Sequence, residues 1–516
     1  MNQKPNIDII PKPEKIIIKE GFFEISQSSC IINKCANLKL GQILKDQLNS
    51  FFRINLQIKG EEPLENYNKI IIDIINGGKE EKFDYYSINI SDNELSIVGH
   101  SDCGIFYGIQ TMIQLLFLNN DNYSENHVPT KLFIPQLELN DYARFKWRGF
   151  MLDESRHFFG KEEIKKLLNI LSLLKFNVFH WHLTDDQGWR VEIKRYPKLT
   201  QIGSKRSHEK LSLRKTKKKG PIYSGFYSQN DIKEIVDHAN ERFITIVPEI
   251  DLPGHTTALL ASYPELGCFN KPLEVSTKFG IHKDILCAGK DSVFEFCENL
   301  LNEIIKLFPG KYIHIGSDEV PKDMWKSCTN CQKRMELEGL ENEEQLYHYF
   351  INRISEHILS KNRIPITWND VLNDNLIKDI TCQFWFDNLD LVLKHLKNGR
   401  NFVMSDMNYV YLDYGLKRTP LQKTYSYEPI PNNLEKDFSK HVLGLEACLW
   451  TEFVPNVEKL ESSMFPRILA VAEIGWSTKG NRDYQSFLER LKSFLKMAEF
   501  FNIKFPPQET YYQNSV

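Results

Sequence analysis

This 516-residue sequence contains no long apolar run and no excess of charge of either sign, and these are its most informative absences. No stretch reaches the roughly eighteen consecutive apolar residues of a transmembrane helix, so we expect no membrane-spanning segment. The 65 Lys and Arg nearly balance the 68 Asp and Glu, which gives no reason to expect a nucleic-acid partner. Residues 1–15 lack the apolar core of a secretory signal peptide.

Cysteines and nucleotide-binding motifs are also sparse. Ten cysteines spread along a chain of this size do not form a dense disulfide framework, and they leave the redox compartment open. With neither a glycine-rich phosphate loop nor a dinucleotide fingerprint, we expect no cofactor. Cys328 and Cys331 form a C-x-x-C pair, but no second Cys or His pair follows at zinc spacing, which disfavours a zinc site.

Two segments of different pattern divide the chain. Residues 1–143 contain short β-rich runs, one predicted hairpin and two stretches of helical spacing, which predict a small α/β, sandwich-like domain. In residues 144–516, eight apolar runs alternate with amphipathic helices, the pattern of a (β/α)8 TIM barrel. The eight predicted strands are 148–158, 176–186, 243–251, 312–319, 364–370, 381–387, 401–406 and 442–452.

The fourth predicted barrel strand ends on two adjacent carboxylates, Asp318 and Glu319. Adjacent acids repel, so one is expected to hold its proton at neutral pH, and a protonated carboxyl is what general-acid catalysis needs. Strict alternation would send the two side chains to opposite faces of a strand, so the chain must already be turning there. Taken alone, the pair is equally compatible with an exposed acidic loop.

Acids and tryptophans recur at the carboxyl ends of the predicted strands. Because these ends converge on the rim where barrel enzymes carry their active sites, they predict one pocket lined by carboxylates and indoles. Indoles stack on sugar rings, while acids and Arg156 bind hydroxyls, so we predict a carbohydrate substrate. The strand-end residues are Asp153, Asp185, Asp186, Asp251, Asp318, Glu319, Trp368, Asp370, Trp385, Trp450 and Glu452.

A metal-dependent hydrolase is an alternative. His180 and His182 form an H-x-H pair on one face of a predicted strand and, with His255, offer metal ligands. The pair precedes the end of its strand by several residues, which places it in a lower layer of the barrel rather than at the rim. A glycan-binding protein without activity is a second alternative.

Seven motifs resemble those of the β-N-acetylhexosaminidases of glycoside hydrolase family 20: RGFMLDESRHF, HWHLTDDQGWR, VPEIDLPGH, HIGSDE, ITWND, YVYLDYG and ACLWTE. They occur in the family's order over most of residues 144–480, and residues 1–143 resemble the domain that precedes its barrel. The resemblance implies an exo-acting, retaining glycosidase that removes terminal β-linked N-acetylglucosamine or N-acetylgalactosamine from glycoconjugates or chito-oligosaccharides. It also implies a lysosomal or secreted location, and it leaves open whether the protein forms a homodimer.

The resemblance implies a role for each matching residue. Glu319 matches the general acid/base, and Asp318 matches the residue that orients the substrate's 2-acetamido group, the nucleophile of substrate-assisted oxazolinium catalysis. Tyr411 matches the hydroxyl that binds the acetamido carbonyl, and its presence with both acids argues against a binding protein without activity. The other matches are Trp368, Trp385 and Trp450 as pocket walls, Arg156, Asp413 and Glu452 as ligands of sugar hydroxyls, and Asp185, Asp251 and His255 as a network supporting the acid/base.

Three departures accompany the resemblance. Ser317 stands where the family usually has glycine, so its Cβ narrows the space under the acid pair. Residue 324 is Met, where vertebrate relatives have a cysteine paired with one near 268, so that disulfide is not expected. Residues 204–222 carry eight Lys or Arg against one Glu and predict a solvated loop, with a loop that favours anionic glycans as the sharper alternative.

Overall fold

The structure, a computed structural model, describes residues 5–60, 67–75, 82–120, 130–208, 211 and 220–512. A seven-stranded sheet with two helices comes first, and a closed barrel of parallel strands follows. Within the described ranges, no helix is both long enough and apolar enough to cross a membrane.

The N-terminal sheet has the strand order β1-β7-β5-β6-β4-β2-β3. Its strands β5 and β6 pair antiparallel as the predicted hairpin, and its two helices contact each other and the sheet. The elements of this part are β1 (Lys15–Ser26), β2 (Cys30–Asn33), α1 (Lys39–Phe52), β3 (Gln57–Lys59), β4 (Lys69–Ile74), β5 (Phe83–Ile90), β6 (Glu94–Gly99), α2 (Asp102–Asn119) and β7 (Lys131–Ala143).

The barrel prediction is confirmed. Strands β8, β9 and β14 to β19 each coincide with one of the eight predicted runs, and β8 pairs with β19 to close the ring. The strands of this part are β8 (Trp147–Asp153), β9 (Val178–His182), β10 (Thr184–Asp185), β11 (Gly188–Trp189), β12 (Lys205–Arg206), β13 (Tyr223–Ser224), β14 (Thr245–Glu249), β15 (Tyr312–His314), β16 (Ile364–Trp368), β17 (Thr381–Phe384), β18 (Phe402–Met404) and β19 (Val442–Leu449).

Amphipathic helices surround the barrel. In α3, the buried residues Ile164, Leu167, Leu168 and Leu171 recur at helical spacing and form the stripe that faces the strands. The helices are α3 (Lys161–Leu173), α4 (Lys198–Gln201), α5 (Gln229–Asn240), α6 (Thr257–Ser262), α7 (Asp291–Leu307), α8 (Asp323–Ser327), α9 (Thr329–Glu338), α10 (Glu343–Ser360), α11 (Leu389–Lys397), α12 (Met407–Val410), α13 (Leu421–Tyr425), α14 (Val457–Met464), α15 (Arg467–Trp476), α16 (Tyr484–Phe500) and α17 (Glu509–Tyr512).

The N-terminal sheet docks at the amino ends of the barrel strands. Arg148, near the start of β8, donates to Asp84 Oδ2 at 2.8 Å, and Lys175, shortly before β9, lies 3.0 Å from Asp141 Oδ2. Both cations are buried, so these charged contacts fix the sheet at the end of the barrel opposite the carboxyl ends of the strands.

The barrel interior is layered. Its lower layer is apolar and consists of Trp147, Val178, Val247, Ile366 and Val403. Above it lies a charged layer, called here the ionic layer, formed by His180, His182, Glu249, His314 and Glu446. The rim, at the carboxyl ends of the strands, carries the candidate site.

Of the basic segment 204–222, residues 209–210 and 212–219 lie outside the described residues. The described parts on either side pair as the short strands β12 and β13. The two alternatives for this segment therefore remain predictions.

Candidate active site

The chain turns sharply between β15 and the acid pair, as the sequence predicted. Strand β15 ends at His314, and Gly316, Ser317 and Glu319 all have positive φ, between +50° and +76°. A side chain at Gly316 would place its Cβ 2.1 Å from Asp251 Oδ1, so only glycine fits there. The turn brings the carboxylates of both acids close to the same imidazole, that of His255.

Ser317 occupies a conformation that normally favours glycine. Its amide donates to Asp251 Oδ1 at 3.0 Å, and its hydroxyl donates to the carbonyls of Leu252 and Ile315 at 2.9 and 3.1 Å. Asp251 is buried beneath the turn, where burial and the charge of Asp318 raise its pKa well above the ordinary value. The hydrogen bonds of Ser317 offset part of the cost of its positive φ.

The two acids lie in different environments. The Asp318 side chain is 14% exposed and that of Glu319 is 35% exposed. Burial and the charges of Asp370 and Glu319 raise the pKa of Asp318 to about 7, although His255 opposes the shift. Among the described residues, Asp318 Oδ1 is buried without a hydrogen-bond partner. The Glu319 amide donates to Asp370 Oδ1 at 3.2 Å, which fixes the backbone of the more exposed acid.

His255 links the acid pair to a buried group of carboxylates. Its Nε2 lies 3.5 Å from Glu319 Oε2 and 3.8 Å from Asp318 Oδ2, while its Nδ1 lies 3.2 Å from Asp185 Oδ1 and 3.3 Å from Asp186 Oδ2. Burial lowers the pKa of His255, but Asp185, Asp186 and Glu319 raise it well above its ordinary value. His255 is therefore a cation at neutral pH, placed beside both rim acids.

Arg156 anchors another part of the rim. Its guanidinium lies 2.8 Å from Asp185 Oδ2 and 3.2 Å from Asp153 Oδ2, and it sits over the Trp450 ring at 5.2 Å. Asp185, matched by the resemblance to the supporting network, is 2% exposed and contacts Arg156, His182 and His255. It supports the site from below.

Asp413 and Glu452 are two carboxylates whose negative charge is only partly compensated by neighbouring groups. Burial and the charge of Glu452 raise the pKa of Asp413 to about 7, and burial also raises the pKa of Glu452 although Arg156 opposes the shift. Asp413 Oδ1 is buried, and the described part of the chain offers it no hydrogen-bond partner. Both acids are ready to accept hydrogen bonds from a ligand that enters the pocket.

Four aromatic side chains, Trp368, Trp385, Tyr411 and Trp450, cluster at the rim with Met151 and Cys448. Trp385 donates to Asp370 Oδ2 at 2.7 Å and stacks on Tyr411 at a centroid distance of 6.3 Å, which makes it a wall beside the acids. Trp368 is only 1% exposed and donates to Glu249 Oε1 at 2.8 Å, so it forms the floor that joins the pocket to the ionic layer.

A cavity of about 470 Å³ opens beside Glu319. Asp370, Trp385, Phe386, Lys322 and Ile281 also line it. Its lining does not include Asp318, Tyr411, Asp413, Trp450 or Glu452, which lie elsewhere at the rim. It has room for a bound group next to the acid that is more exposed.

Sequence comparison identifies the family. Residues 145–479 match the family model described as glycosyl hydrolase family 20, catalytic domain, and residues 6–142 match glycosyl hydrolase family 20, domain 2. The chain belongs to glycoside hydrolase family 20. The resemblance that the motifs indicated is thereby confirmed.

The relatives of this family 20 chain include bacterial enzymes. A β-hexosaminidase of Porphyromonas gingivalis is 37% identical over 512 residues, which make up 97% of this chain and 64% of that protein. Two solved structures are close to this fold. The exo β-N-acetylglucosaminidase of Vibrio harveyi, in complex with N-acetylglucosamine, has a TM-score of 0.85 at 27% identity and aligns over 97% of this chain and 78% of its own. The β-N-acetylhexosaminidase of Bacteroides fragilis has a TM-score of 0.82 at 32% identity over 97% of both chains.

The ionic layer of this family 20 barrel explains the H-x-H pair. His180 contacts Glu446 at 2.7 Å and Glu249 at 3.0 Å, while His182 contacts Glu249 at 2.5 Å and Asp185 at 2.9 Å. Burial lowers the pKa of His180, but the two glutamates raise it to about 9, and that of His182 is raised well above its ordinary value. All four imidazole nitrogens of the pair lie within 3.0 Å of a carboxylate oxygen, so this geometry favours a hydrogen-bonded network.

Sequence reasoning missed the glutamates of this layer and assigned no role to Asp370. Glu446 lies in the middle of the buried strand β19, and Glu249 is the last residue of β14, in register with His182 on one side and His314 on the other. Charged residues of both signs inside apolar strands were the signal that could have revealed the layer. Asp370 was visible as a strand-end acid, but only its contact with the Glu319 amide reveals its part in the site.

Proposed function

We propose that this protein is an exo-acting, retaining β-N-acetylhexosaminidase that uses the 2-acetamido group of its substrate as the nucleophile. The observation that carries the proposal is the buried Oδ1 of Asp318, which has no hydrogen-bond partner within the described ranges, next to the more exposed carboxyl of Glu319. One acid is positioned to accept a hydrogen bond from the substrate, and the other is accessible to a leaving group. The names of the P. gingivalis, V. harveyi and B. fragilis relatives support the same activity.

In the first step, the acetamido carbonyl oxygen attacks the anomeric carbon while the glycosidic C–O bond breaks. Glu319 gives its proton to the departing oxygen, and Asp318 accepts the acetamido N–H. A positive charge develops on the resulting oxazolinium, and ionised Asp318 stabilises it at close range. The Tyr411 hydroxyl donates to the acetamido oxygen and holds it in position for attack.

In the second step, Glu319 takes a proton from water as the water oxygen attacks the anomeric carbon. The bond from the acetamido oxygen to that carbon breaks, and the acetamido group is restored. Two inversions give overall retention of configuration. The sugar leaves, and Glu319 again carries the proton it needs for the next cycle.

The rest of the pocket suits a terminal sugar. Asp413, with its unpaired Oδ1, and Glu452, beside Arg156, would accept hydrogen bonds from ring hydroxyls. Trp385 and Trp450 offer ring faces on which a pyranose stacks. These side chains support an exo mode of action on either N-acetylglucosamine or N-acetylgalactosamine.

The test is hydrolysis of p-nitrophenyl N-acetyl-β-glucosaminide by the purified chain, beside the matching β-glucoside that lacks the acetamido group. Each substrate is measured with and without a brief exposure to EDTA. The proposal predicts cleavage of the acetamido sugar alone, at the same rate under both conditions.

Other results would contradict the proposal. Equal cleavage of both sugars would remove the acetamido group from the mechanism, and activity lost with EDTA and restored by added metal would favour a metal-dependent hydrolase. No cleavage by folded protein that still binds N-acetylglucosamine would favour a glycan-binding protein.

A further inference from the structure

Four cysteines that are scattered in the sequence converge behind the loop that carries the acid pair. Cys268 follows a short turn after α6, Cys287 precedes α7, Cys328 separates α8 from α9, and Cys331 lies in the first turn of α9. Their sulfur atoms, called here the four-cysteine cluster, all lie within 4.8 Å of one another. Cys328 and Cys331 are the C-x-x-C pair. Their companions, Cys268 and Cys287, precede them in the chain.

Three sulfur separations in the four-cysteine cluster match those of a tetrahedral metal site. Sγ of Cys287 lies 3.6 Å from that of Cys331 and 3.7 Å from that of Cys328, and Cys268 lies 3.9 Å from Cys331. Four thiolates bound to zinc at about 2.3 Å in a tetrahedron are about 3.8 Å apart. A disulfide would bring two sulfurs to about 2.05 Å. The spacing therefore corresponds to a shared ion at the centre rather than to pairwise bonds.

The surroundings of the cluster are those of a closed structural site. Cys287, Cys328 and Cys331 are buried, and Cys268 is partly buried. The chain after Cys287 passes directly against the C-x-x-C turn, because a Cβ on Gly289 would lie 2.1 Å from the carbonyl carbon of Asn330. Four protein sulfurs would complete the coordination of zinc and leave no position for a substrate or a water nucleophile.

Hydrogen bonds outside the cluster already hold its segments together. The Cys287 amide donates to the Leu266 carbonyl at 2.9 Å, and the Trp325 indole donates to the Leu286 carbonyl at 2.9 Å. Lys290 donates to the Gly267 carbonyl at 2.6 Å. These contacts hold three parts of the chain in place without the sulfurs: the segment before Cys268, the segment around Cys287, and helix α8. A metal site requires such support from its surroundings.

We propose that the four-cysteine cluster binds one zinc ion as a structural site. Binding converts four thiols to thiolates and releases four protons, with no change of oxidation state. The site would join the loops that follow β14 and β15, which carry His255 and the acid pair respectively. It would stabilise the rim without taking part in the chemistry, so it would add to the stability of the folded chain.

Zinc content of the full-length chain, purified under reducing conditions from zinc-supplemented medium, tests the proposal by elemental mass spectrometry. We expect about one zinc per chain, and X-ray absorption at the zinc edge should give four sulfur neighbours at about 2.3 Å. Replacing zinc by cobalt should give the visible bands of a tetrahedral four-thiolate site. None of these measurements depends on hydrolysis, so their outcome is separate from that of the proposed function.

Variants locate the site. Cys331→Ser and Cys268→Ser should each lose most of the zinc and lower the melting temperature by about 5 °C or more, because a structural metal stabilises only the folded state. Cys103→Ser, in helix α2 of the N-terminal sheet domain, is the matched control and should retain both zinc and stability.

Three results would overturn the proposal. Four free thiols without metal in the zinc-supplemented wild type would show that the cysteines only fill space. Disulfides within the cluster, mapped by mass spectrometry of unreduced peptides, would replace the metal by covalent links. Zinc bound through nitrogen or oxygen neighbours would place it elsewhere in the chain. These measurements use the wild type, so they decide the question even if a variant fails to fold.

Discussion

Glu249 is fully buried inside the barrel, Asp318 at the rim is partly buried with its Oδ1 out of contact with solvent, and the surroundings of the two carboxylates differ in kind. Burial raises the pKa of Glu249, but contacts with His182, His314 and His180 outweigh it and hold that pKa well below its ordinary value. Asp318 faces one histidine, His255, at 3.8 Å, and its Oδ1 has no partner among the described residues. Burial, with the charges of Asp370 and Glu319, raises the pKa of Asp318 to about 7. The two acids thus mark a lower layer whose carboxylates are paired with histidines and a rim where Asp318 keeps an oxygen without a partner in the described part of the chain.

The difference teaches where to look for function in this fold. A buried acceptor without a partner costs about 1–3 kcal/mol, so a folded protein keeps one only where something else offsets the cost. In the ionic layer, each acid meets a protonated histidine and the result is a rigid scaffold. At the rim, Asp318 and Asp413 are left for a ligand to satisfy. Substitutions in the two layers should therefore have opposite consequences.

The largest expected effect is the loss of turnover in Glu319→Gln. The amide cannot give a proton to the leaving oxygen, so kcat on natural glycosides should fall by a factor of about 100 to 10,000 while the unfolding curve is unchanged. Steady-state kinetics and urea unfolding check both parts, with Glu295→Gln on the exposed face of α7 as the matched control. Turnover near that of the wild type would remove Glu319 from the acid role.

The next effect concerns stability in the lower layer. Glu249→Gln leaves His180 and His182 without their shared counter-charge, and breaking a buried ion pair in this way costs about 3–5 kcal/mol. We expect the midpoint of urea unfolding to fall accordingly. A variant as stable as the wild type would show that the ionic layer is not the scaffold described here.

Asp318→Asn should lower activity rather than stability. Loss of a charged hydrogen bond to the acetamido group, worth about 1.5–3 kcal/mol, lowers kcat/KM on N-acetylglucosaminides by about 10- to 100-fold. Residual cleavage of a substrate without the acetamido group should change little, and equal losses on both substrates would contradict the assignment. The folded state favours protonated Asp318, because its pKa is raised to about 7. Ionisation of Asp318 as pH rises through about 7 therefore costs stability. Asp318→Asn avoids this cost, so it should be at least as stable as the wild type at pH 8.

The pH profile should reveal the same residue. In the proposed mechanism Asp318 must be ionised to stabilise the oxazolinium, so kcat/KM should fall as pH decreases through about 7, by up to tenfold per pH unit below that value. This fall in kcat/KM on the acidic side of the pH profile, called here the acidic limb, reports the titration of the coupled rim acids as a group. Its disappearance in Asp318→Asn would identify Asp318 as the main contributor, and an unchanged limb would assign it to another group.

Ser317→Gly should have the smallest effect. Glycine relieves the positive φ, but the variant loses the two hydrogen bonds of the hydroxyl, so the opposing changes should leave the free energy of unfolding within about 1 kcal/mol. Activity should remain within about twofold, because the hydroxyl points to the carbonyls of Leu252 and Ile315 and away from the pocket. A large loss of turnover would mean that Ser317 directly determines the positions of the Asp318 and Glu319 carboxylates.

Local patterns account for most of the fold. The eight strands were predictable because each is a short apolar run followed by a helix, and the turn at Asp318 and Glu319 followed from the need to bring two adjacent acids to one face. The tilt of Trp368 into the ionic layer was not predictable, since its indole is directed by Glu249 on another strand.

The contacts that sequence reasoning missed join residues far apart in the chain. His180 meets Glu446, and Cys268 meets Cys331, only because barrel closure and two long loops bring them together. Hydrophobic period and turn residues carry no information about such pairs in a single sequence. The roles of the rim residues likewise came from motif resemblance, and their electrostatic contrast with the ionic layer came from the structure.

The most direct measurement of the central claim is kcat/KM on p-nitrophenyl glucosaminides whose N-acyl group carries zero, one, two or three fluorine atoms. Fluorine withdraws electrons from the carbonyl oxygen. If that oxygen is the nucleophile that Asp318 assists, the rate should fall steeply at each added fluorine, and the slope should become shallower in Asp318→Asn. A rate that is independent of fluorine in the wild type would contradict the account, because the acetamido group would then take no part in breaking the glycosidic bond.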